Sequence, residues 1–265
     1  MSTDTRRRSR RQTTRLWRVP VRRVHHVTPR MVRITLGSDE LVDFVHDGTD
    51  QNVMLYFYDD AVELPEPLTL ESARGMWSRV RPTIRSYTIA RHDPDANEID
   101  IDFVLHGDGG HGGPASAWAA AAKPGDQLIF VGPSPAYRPD PDADLYLLAG
   151  DETALPAIGV TLRGLPAGAR ARVFVEVDNA ADELPLPTDA DAEITWLHRD
   201  GVPPQDSELL VNAITAATLD GVVDAWIGAE RAPVLAVRRH LLDERRLDRK
   251  HVRATTYWRA GQEGT

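Results

Sequence analysis

The chain has 265 residues, of which 42% are hydrophobic, and its formal net charge is −9. This length suits two domains, and no apolar run approaches the roughly 20 residues that a membrane-spanning helix needs. The absence of cysteine excludes disulfides, cysteine-ligated iron–sulfur clusters and thiolate catalysis. Any electron transfer must therefore depend on an organic cofactor or on a metal supplied from outside.

The N-terminus is strongly basic. The first 23 residues contain nine arginines and one acid, a net charge of +8, which leaves −17 for the rest of the chain. Residues 1–16 are predicted to be a disordered arm that could contact nucleic acid or an anionic membrane, or simply be solvated. The acidic remainder argues against a nucleic-acid-binding domain. No apolar segment follows the arginines, so we expect no signal peptide and a cytoplasmic protein.

Residues 17–140 are predicted to form a small antiparallel β barrel, because short alternating runs recur between Gly, Pro and Asp. A polar insertion of uncertain structure at residues 59–80 interrupts them. Pro114 suits a first helical position, and the alanines after it favour a helix. The predicted strands are Trp17–Val27, Met31–Leu36, Asn52–Tyr58, Thr83–Ala90, Glu98–His106 and Gln127–Gly132.

The fourth strand contains Arg85-Ser86-Tyr87-Thr88. Side chains alternate along a strand, so Arg85 and Tyr87 share one face, and Ser86 and Thr88 share the other. Arg85 could meet a phosphate while Tyr87 covers a flat ring and Thr88 lies near the edge of that ring. Such a strand would hold a flavin dinucleotide, although the motif alone also fits an ordinary edge strand.

A proline-rich link at residues 133–141 predicts a domain boundary, and residues 141–265 form the second domain. Strands and helices alternate there, which predicts an α/β domain with a parallel sheet. Helices are predicted at about residues 153–164, 207–219 and 231–245. The predicted strands are Leu145–Gly150, Ala171–Val177, Glu193–His198, Ala225–Ala229 and Val252–Trp258.

Three segments of the second domain suggest ligand contacts. Gly150-Asp151-Glu152-Thr153-Ala154 joins a strand to a helix start, which favours an anion site, or else a plain turn capped by Thr153. The dinucleotide motif G-x-G-x-x-G is absent from residues 141–265. Arg199 could pair with a nucleotide phosphate or be solvated. Tyr257 and Trp258 could cover a flavin or serve packing alone.

Together these segments resemble the siderophore-interacting proteins, which are flavin-dependent ferric-siderophore reductases of the ferredoxin–NADP reductase superfamily. The resemblance extends over about residues 17–261. The segments that carry it are Val27–Arg33, Arg85–Thr88, Asp102–Gly107, Gly113–Trp118, Pro124–Asp126, Gly132-Pro133, Ala149–Ala157 and Tyr257–Arg259.

The resemblance implies FAD in the barrel and NAD(P)H in the α/β domain. Asp108–Gly112 is longer than the family's usual link, so His111 is not counted as a contact. The pair His198-Arg199 favours NADPH over NADH. The implied FAD contacts are Arg85, Ser86, Tyr87 and Thr88, then Asp102, Val104 and His106, then Gly113, Ala115, Ser116 and Trp118. The implied contacts in the second domain are Gly150, Asp151, Glu152, Thr153, Ala154, Arg199, Tyr257 and Trp258.

The implied reaction passes electrons from NAD(P)H through FAD to a ferric siderophore and releases Fe(II). The protein then needs no metal ligands, because the siderophore carries the iron, and no catalytic acid or base is named. Arg74, Arg79 and Arg81 could steer an anionic chelate or simply be solvated. The alternatives are a general NAD(P)H:flavin or ferredoxin-type reductase and a non-enzymatic siderophore-binding module. We expect a monomer.

Overall fold

The computed structural model describes residues 14–59, 61–105, 113–134 and 137–261. Its first half is a closed antiparallel barrel with the strand order β1-β2-β5-β4-β3-β6, as predicted. Alternate apolar side chains such as Val19, Ile34 and Phe130 fill the interior. The strands are β1 (Arg15–Thr28), β2 (Met31–Gly37), β3 (Asn52–Phe57), β4 (Thr83–Asp93), β5 (Glu98–Val104) and β6 (Gln127–Gly132).

Within the described part of the first half, two short α-helices flank the barrel strands. The polar insertion contains α1 (Leu70–Gly75), which begins at Thr69 because that side chain accepts a hydrogen bond from the Ser72 amide. The second helix, α2 (Pro114–Ala121), begins at the predicted proline. At the N-terminus, residues 1–13 of the predicted arm lie outside the described residues, whereas Arg15 already belongs to β1.

The second half is a parallel five-stranded sheet with the order β11-β10-β7-β8-β9. Helix α3 packs on one face, while α4 and α5 pack on the other. None of the helices in the described ranges is both long and apolar enough to cross a bilayer. The elements are β7 (Leu145–Asp151), α3 (Leu155–Gly164), β8 (Arg170–Val177), β9 (Asp191–His198), α4 (Leu209–Ala216), β10 (Val223–Glu230), α5 (Arg231–Arg239) and β11 (Val252–Trp258).

The barrel and the sheet pack closely against each other. Helix α3 lies against β4, and the Arg163 guanidinium donates a hydrogen bond of 2.8 Å to the carbonyl oxygen of Ala90. The side chains of Met31 and Val104, which belong to barrel strands, pack in the buried cluster around α3. The second half of the chain therefore covers the outer face of β4 at Thr88 and Ala90, which are buried, whereas Ser86 on the same face is exposed.

Candidate cofactor site

The side chains of Arg85 and Tyr87 differ in their surroundings. Arg85 is half-buried, and its guanidinium donates to the Ile84 carbonyl at 2.8 Å. Among the described residues, no acidic side chain lies within ion-pair distance of it. Tyr87 packs its ring against Phe103 with centroids 4.5 Å apart, and burial raises the pKa of its hydroxyl to about 12. The segment therefore offers an uncompensated cation beside a neutral flat ring.

A row of aromatic rings connects this strand to α2. Beyond Tyr87 and Phe103, the Trp118 ring of α2 lies 5.7 Å from Phe103, and Phe57 of β3 lies 5.9 Å from Trp118. The contact of Trp118 fixes α2 against β5. Two of the other residues predicted to contact the cofactor, Ala115 and Ser116, lie in the first turn of the same helix and are buried.

The start of α2 suits a phosphate. Gly113 occupies the cap position and has no side chain with which to cap the helix, and Pro114 follows at the first helical position. Among the described residues, no heavy atom lies within 4 Å of where a Cβ at Gly113 would stand. The amide groups and the dipole of a helix start attract anions. Together with Arg85 and Tyr87, these groups match a dinucleotide that carries a flat ring.

The predicted contacts on β5 are arranged differently. The Asp102 carboxylate accepts two hydrogen bonds from the Arg33 guanidinium, at 2.7 and 2.8 Å, and is almost fully buried. Val104 packs toward α3. The side chain of Asp102 is therefore committed to the barrel, and any contact of this residue with FAD has to come from its main chain. His106 lies outside the described residues.

Thr88 points away from Tyr87 and toward the second half of the chain. Its hydroxyl oxygen lies 3.5 Å from the Tyr257 hydroxyl oxygen of β11. The Tyr257 hydroxyl in turn donates to Asp50 Oδ1 at 2.9 Å, and the Trp226 indole donates to Asp50 Oδ2 at 3.0 Å. Tyr257, predicted as a flavin cover or a packing residue, therefore belongs to a hydrogen-bonded network.

Asp50 is the residue at this junction that sequence reasoning missed. It is 5% exposed, and its φ of 51° is one that aspartate tolerates better than most residues. Burial raises the pKa of its carboxyl, whereas the hydrogen bonds from Trp226 and Tyr257 and the charge of Arg253 act in the opposite direction. Its partners lie more than 170 positions away along the chain, so no local motif marks it.

The predicted anion site after β7 contains a carboxylate of the chain itself. Asp151 Oδ1 accepts hydrogen bonds from the amide and the hydroxyl of Thr153. Asp151 Oδ2 accepts from the Glu230 amide at 3.0 Å and from the Trp258 indole at 2.8 Å. Burial and the charge of Glu152 raise the pKa of Asp151 to about 6. The donors expected to meet a phosphate are therefore already used.

Gly150 has a packing role in the sheet. A Cβ at this position would overlap the carbonyl oxygen of Gly228 and the Cβ of Ala154. The missing side chain therefore lets β7, β10 and the turn at Ala154 pack closely.

Arg199 is neither solvated nor free for a phosphate, the two alternatives that the sequence left open. Its side chain is 2% exposed, and its guanidinium donates two hydrogen bonds to Glu152, at 2.8 and 2.9 Å. Glu176 lies 3.5 Å away on the same side. Two carboxylates of the interior therefore hold this arginine, and it gives no reason to prefer NADPH over NADH.

Comparison with known proteins covers both halves of the chain. Residues 20–137 match the siderophore-interacting FAD-binding domain, and residues 143–261 match the siderophore-interacting protein model. The ferric vibriobactin reductase of Vibrio cholerae is 32% identical, covering 91% of this chain and 88% of its own length. The NADPH-dependent ferric-chelate reductase of Escherichia coli is 32% identical, covering 91% of each chain.

Solved structures agree with the architecture. A siderophore utilization protein from T. fusca superposes with a TM-score of 0.82 at 35% identity and covers 96% of each chain. The ferredoxin reductase of carbazole 1,9a-dioxygenase has a TM-score of 0.66 at 15% identity, over 94% of this chain and 71% of that one, which shows a common fold alone. The chain belongs to the siderophore-interacting protein family and has the ferredoxin-reductase fold.

Proposed function

We propose that this protein is an NAD(P)H-dependent flavoprotein that reduces a ferric siderophore and thereby releases Fe(II). The observations that carry the proposal are the half-buried Arg85 guanidinium, the Tyr87 ring on the same strand, and the row of rings that connects this strand to α2, which begins at Gly113-Pro114. The Vibrio cholerae and Escherichia coli relatives are named as reductases of ferric chelates, which supports this substrate class.

In this proposal FAD lies across the barrel side of the junction. The Arg85 guanidinium and the amide groups at the start of α2 hold the pyrophosphate, Tyr87 lies along the flat part of the cofactor, and Thr88 lies at the edge of the isoalloxazine. FAD, when bound, accepts a hydride and passes on single electrons, which suits a one-electron acceptor such as Fe(III).

The protein's own residues orient the ring and exclude water. Because the pKa of Tyr87 is raised to about 12, its hydroxyl stays neutral and presents no charge to the ring. Tyr257 and Trp258 close the opposite side from β11, and their hydrogen bonds to Asp50 and Asp151 hold them in place. Groups that are already held in place need little reorganisation when the cofactor changes its charge.

The electron donor NAD(P)H is proposed to bind over the carboxyl ends of the parallel strands, where open α/β sheets bind ligands. Asp151 and Arg199 are occupied by partners within the chain. The phosphates of the donor are therefore not assigned to the Thr153 turn or to Arg199.

The test begins with purified protein and added FAD. We expect tight binding, loss of the flavin absorption with NADPH or NADH without oxygen, and its return with a ferric siderophore while a ferrous-specific chelator collects Fe(II). Arg85→Ala should weaken FAD binding and keep the unfolding midpoint of the FAD-free protein. A protein that takes up no FAD would refute the proposal. If the protein oxidised NAD(P)H with free flavin as the acceptor but did not reduce ferric chelates, the general reductase would be favoured instead.

A further inference from the structure

The hydrogen bonds at Asp50 have a direction that the atoms themselves determine. The Trp226 indole can donate a hydrogen bond but cannot accept one. The same is true of the Arg253 guanidinium, whose Nε lies 3.8 Å from Asp50 Oδ2. Both groups face the same carboxylate oxygen and favour its ionised form. The other oxygen, Oδ1, then accepts the proton of the Tyr257 hydroxyl at 2.9 Å.

The donor and acceptor roles at Asp50 also determine the roles of the Tyr257 and Thr88 hydroxyls. A tyrosine hydroxyl has one proton, and Tyr257 has committed it to Asp50, so its oxygen is left as an acceptor. The Thr88 hydroxyl lies 3.5 Å from that oxygen. A hydrogen bond between the two hydroxyls must therefore run from Thr88 to Tyr257. With its own proton directed at Tyr257, the Thr88 oxygen can only accept from any further partner.

We propose that Asp50 is a positioning residue that sets this direction, so that Thr88 presents a hydrogen-bond acceptor to the flavin edge. The inference rests on the proposed binding of FAD beside Thr88. Two-electron reduction of a flavin adds a proton to the ring nitrogen N5, which changes from an acceptor into a donor. An acceptor at Thr88 pairs with the reduced ring and opposes the oxidised one, so the chain of hydrogen bonds raises the midpoint potential.

Asp50→Asn reverses the direction and leaves the contacts in place. The new amide oxygen must face Trp226 and Arg253, which are both donors, so the amide nitrogen faces Tyr257. That nitrogen then donates to Tyr257, whose proton turns toward Thr88, and the Thr88 proton becomes free for the ring. Asparagine also tolerates the φ of 51° at this position, so the backbone should be unchanged.

The experiment measures the midpoint potential of bound FAD in the wild-type protein and in three variants. Asp50→Asn should lower the preference for the reduced flavin about tenfold, which is about 30 mV for a two-electron couple. Tyr257→Phe removes the hydrogen bonds that connect Asp50 to Thr88 without reversing their direction, and this variant should give an intermediate potential. In a Thr88→Val background, where no hydroxyl meets the ring, Asp50→Asn should have no further effect.

A second readout needs no flavin. In the FAD-free protein, the NMR signal of the Trp226 indole proton should move in Asp50→Asn, because its acceptor loses a charge, and it should move little in Tyr257→Phe. An unmoved signal in Asp50→Asn would overturn the assigned hydrogen bond, on which the inference depends.

The remaining outcomes separate the inference from the proposed function. Failure of the wild-type protein to bind FAD would overturn both. Bound FAD with the same potential in the wild type and in Asp50→Asn would overturn the inference alone, as would an equal shift with and without the Thr88 hydroxyl. That last result would mean that Asp50 acts on the flavin only through its charge or through domain packing.

Discussion

At the scale of single residues, Arg199 shows how a buried cation can serve the fold. Its guanidinium balances Glu152 and Glu176 in a part of the chain with little access to water. Removing one partner of a buried ion pair leaves the other charge uncompensated, which costs about 3–5 kcal/mol. The pair is best understood as the support of the turn that follows β7.

Arg199→Met should therefore lower the free energy of unfolding by about 3–5 kcal/mol, measured by urea denaturation. Arg172→Met is the matched control, because Arg172 pairs with an exposed Glu193 at 3.2 Å, and such a surface pair contributes about 1 kcal/mol or less. Equal losses in the two variants would contradict the structural role of Arg199.

His46 gives a prediction for pH. Its Nε2 is buried without a hydrogen-bond partner, and its ring lies 6.0 Å from that of His92. Burial and the proximity of His92 lower the pKa of His46 from 6.5 to about 4. Folding therefore favours the neutral ring. The stability contributed by this group is complete above pH 6.5 and is lost as the pH falls through 4, by up to about 3 kcal/mol.

The prediction concerns unfolding free energies measured between about pH 7.5 and pH 4, an interval that spans the unfolded and folded pKa values of the ring. His46→Gln should lose less stability than the wild type over this interval, since glutamine does not titrate. His25→Gln serves as the control for replacing a histidine with glutamine, because His25 is exposed on β1. An unaltered pH dependence in His46→Gln would show that His46 is not the group responsible.

At the scale of elements, local sequence signals predicted the strands and helices well. Pro114 marks the start of α2, and the alternation around Tyr87 gives β4 its two faces, because both effects depend on neighbours in the chain. The carboxylates were harder to interpret. Asp102 and Asp151 lie where ligand contacts were predicted, yet they bind Arg33 and Trp258, and such long-range partners leave no trace in a local pattern.

Gly150 tests the close packing of β7 against β10. Gly150→Ala should destabilise the protein by about 1–3 kcal/mol or more, since the new methyl group would overlap the backbone of Gly228, which cannot move independently of the sheet. Gly75→Ala is the control. A Cβ there meets nothing within 4 Å at the end of α1, so this variant should be neutral or slightly stabilised in thermal unfolding. A stable Gly150→Ala protein would contradict the packing argument.

At the scale of the whole molecule, the segment from residue 46 to residue 51 ties the two halves together. Thr49 donates to the Tyr137 carbonyl at 2.9 Å, at the start of the link to the second half, and Asp50 binds Trp226 and Tyr257 beyond it. The same segment therefore fixes both the link and the relative position of β4 and β11. Sequence reasoning identified the strands on either side of the junction but had no means of finding the loop that joins them.

The net charge of the chain is −9, so the protein as a whole repels an anionic substrate. Attraction has to be local, since charges further apart than about 8 Å are largely screened at physiological salt. Arg79 and Arg81 are exposed in the segment that leads into β4, and Arg81 Nε donates to the Trp77 carbonyl at 3.0 Å, which orients its side chain. This pair is the proposed steering patch.

Replacing Arg79 and Arg81 with alanine should raise the apparent KM for an anionic ferric chelate about 3–10-fold at low salt and leave oxidation of NADPH by a neutral acceptor unchanged. The difference from the wild type should shrink as salt is added, because screening weakens steering in both proteins. Arg170→Ala combined with Arg249→Ala is the matched control, since both residues are exposed at the opposite end of the parallel sheet and the change in net charge is the same. If the control raised KM equally, the net charge of the protein rather than a patch beside β4 would attract the chelate.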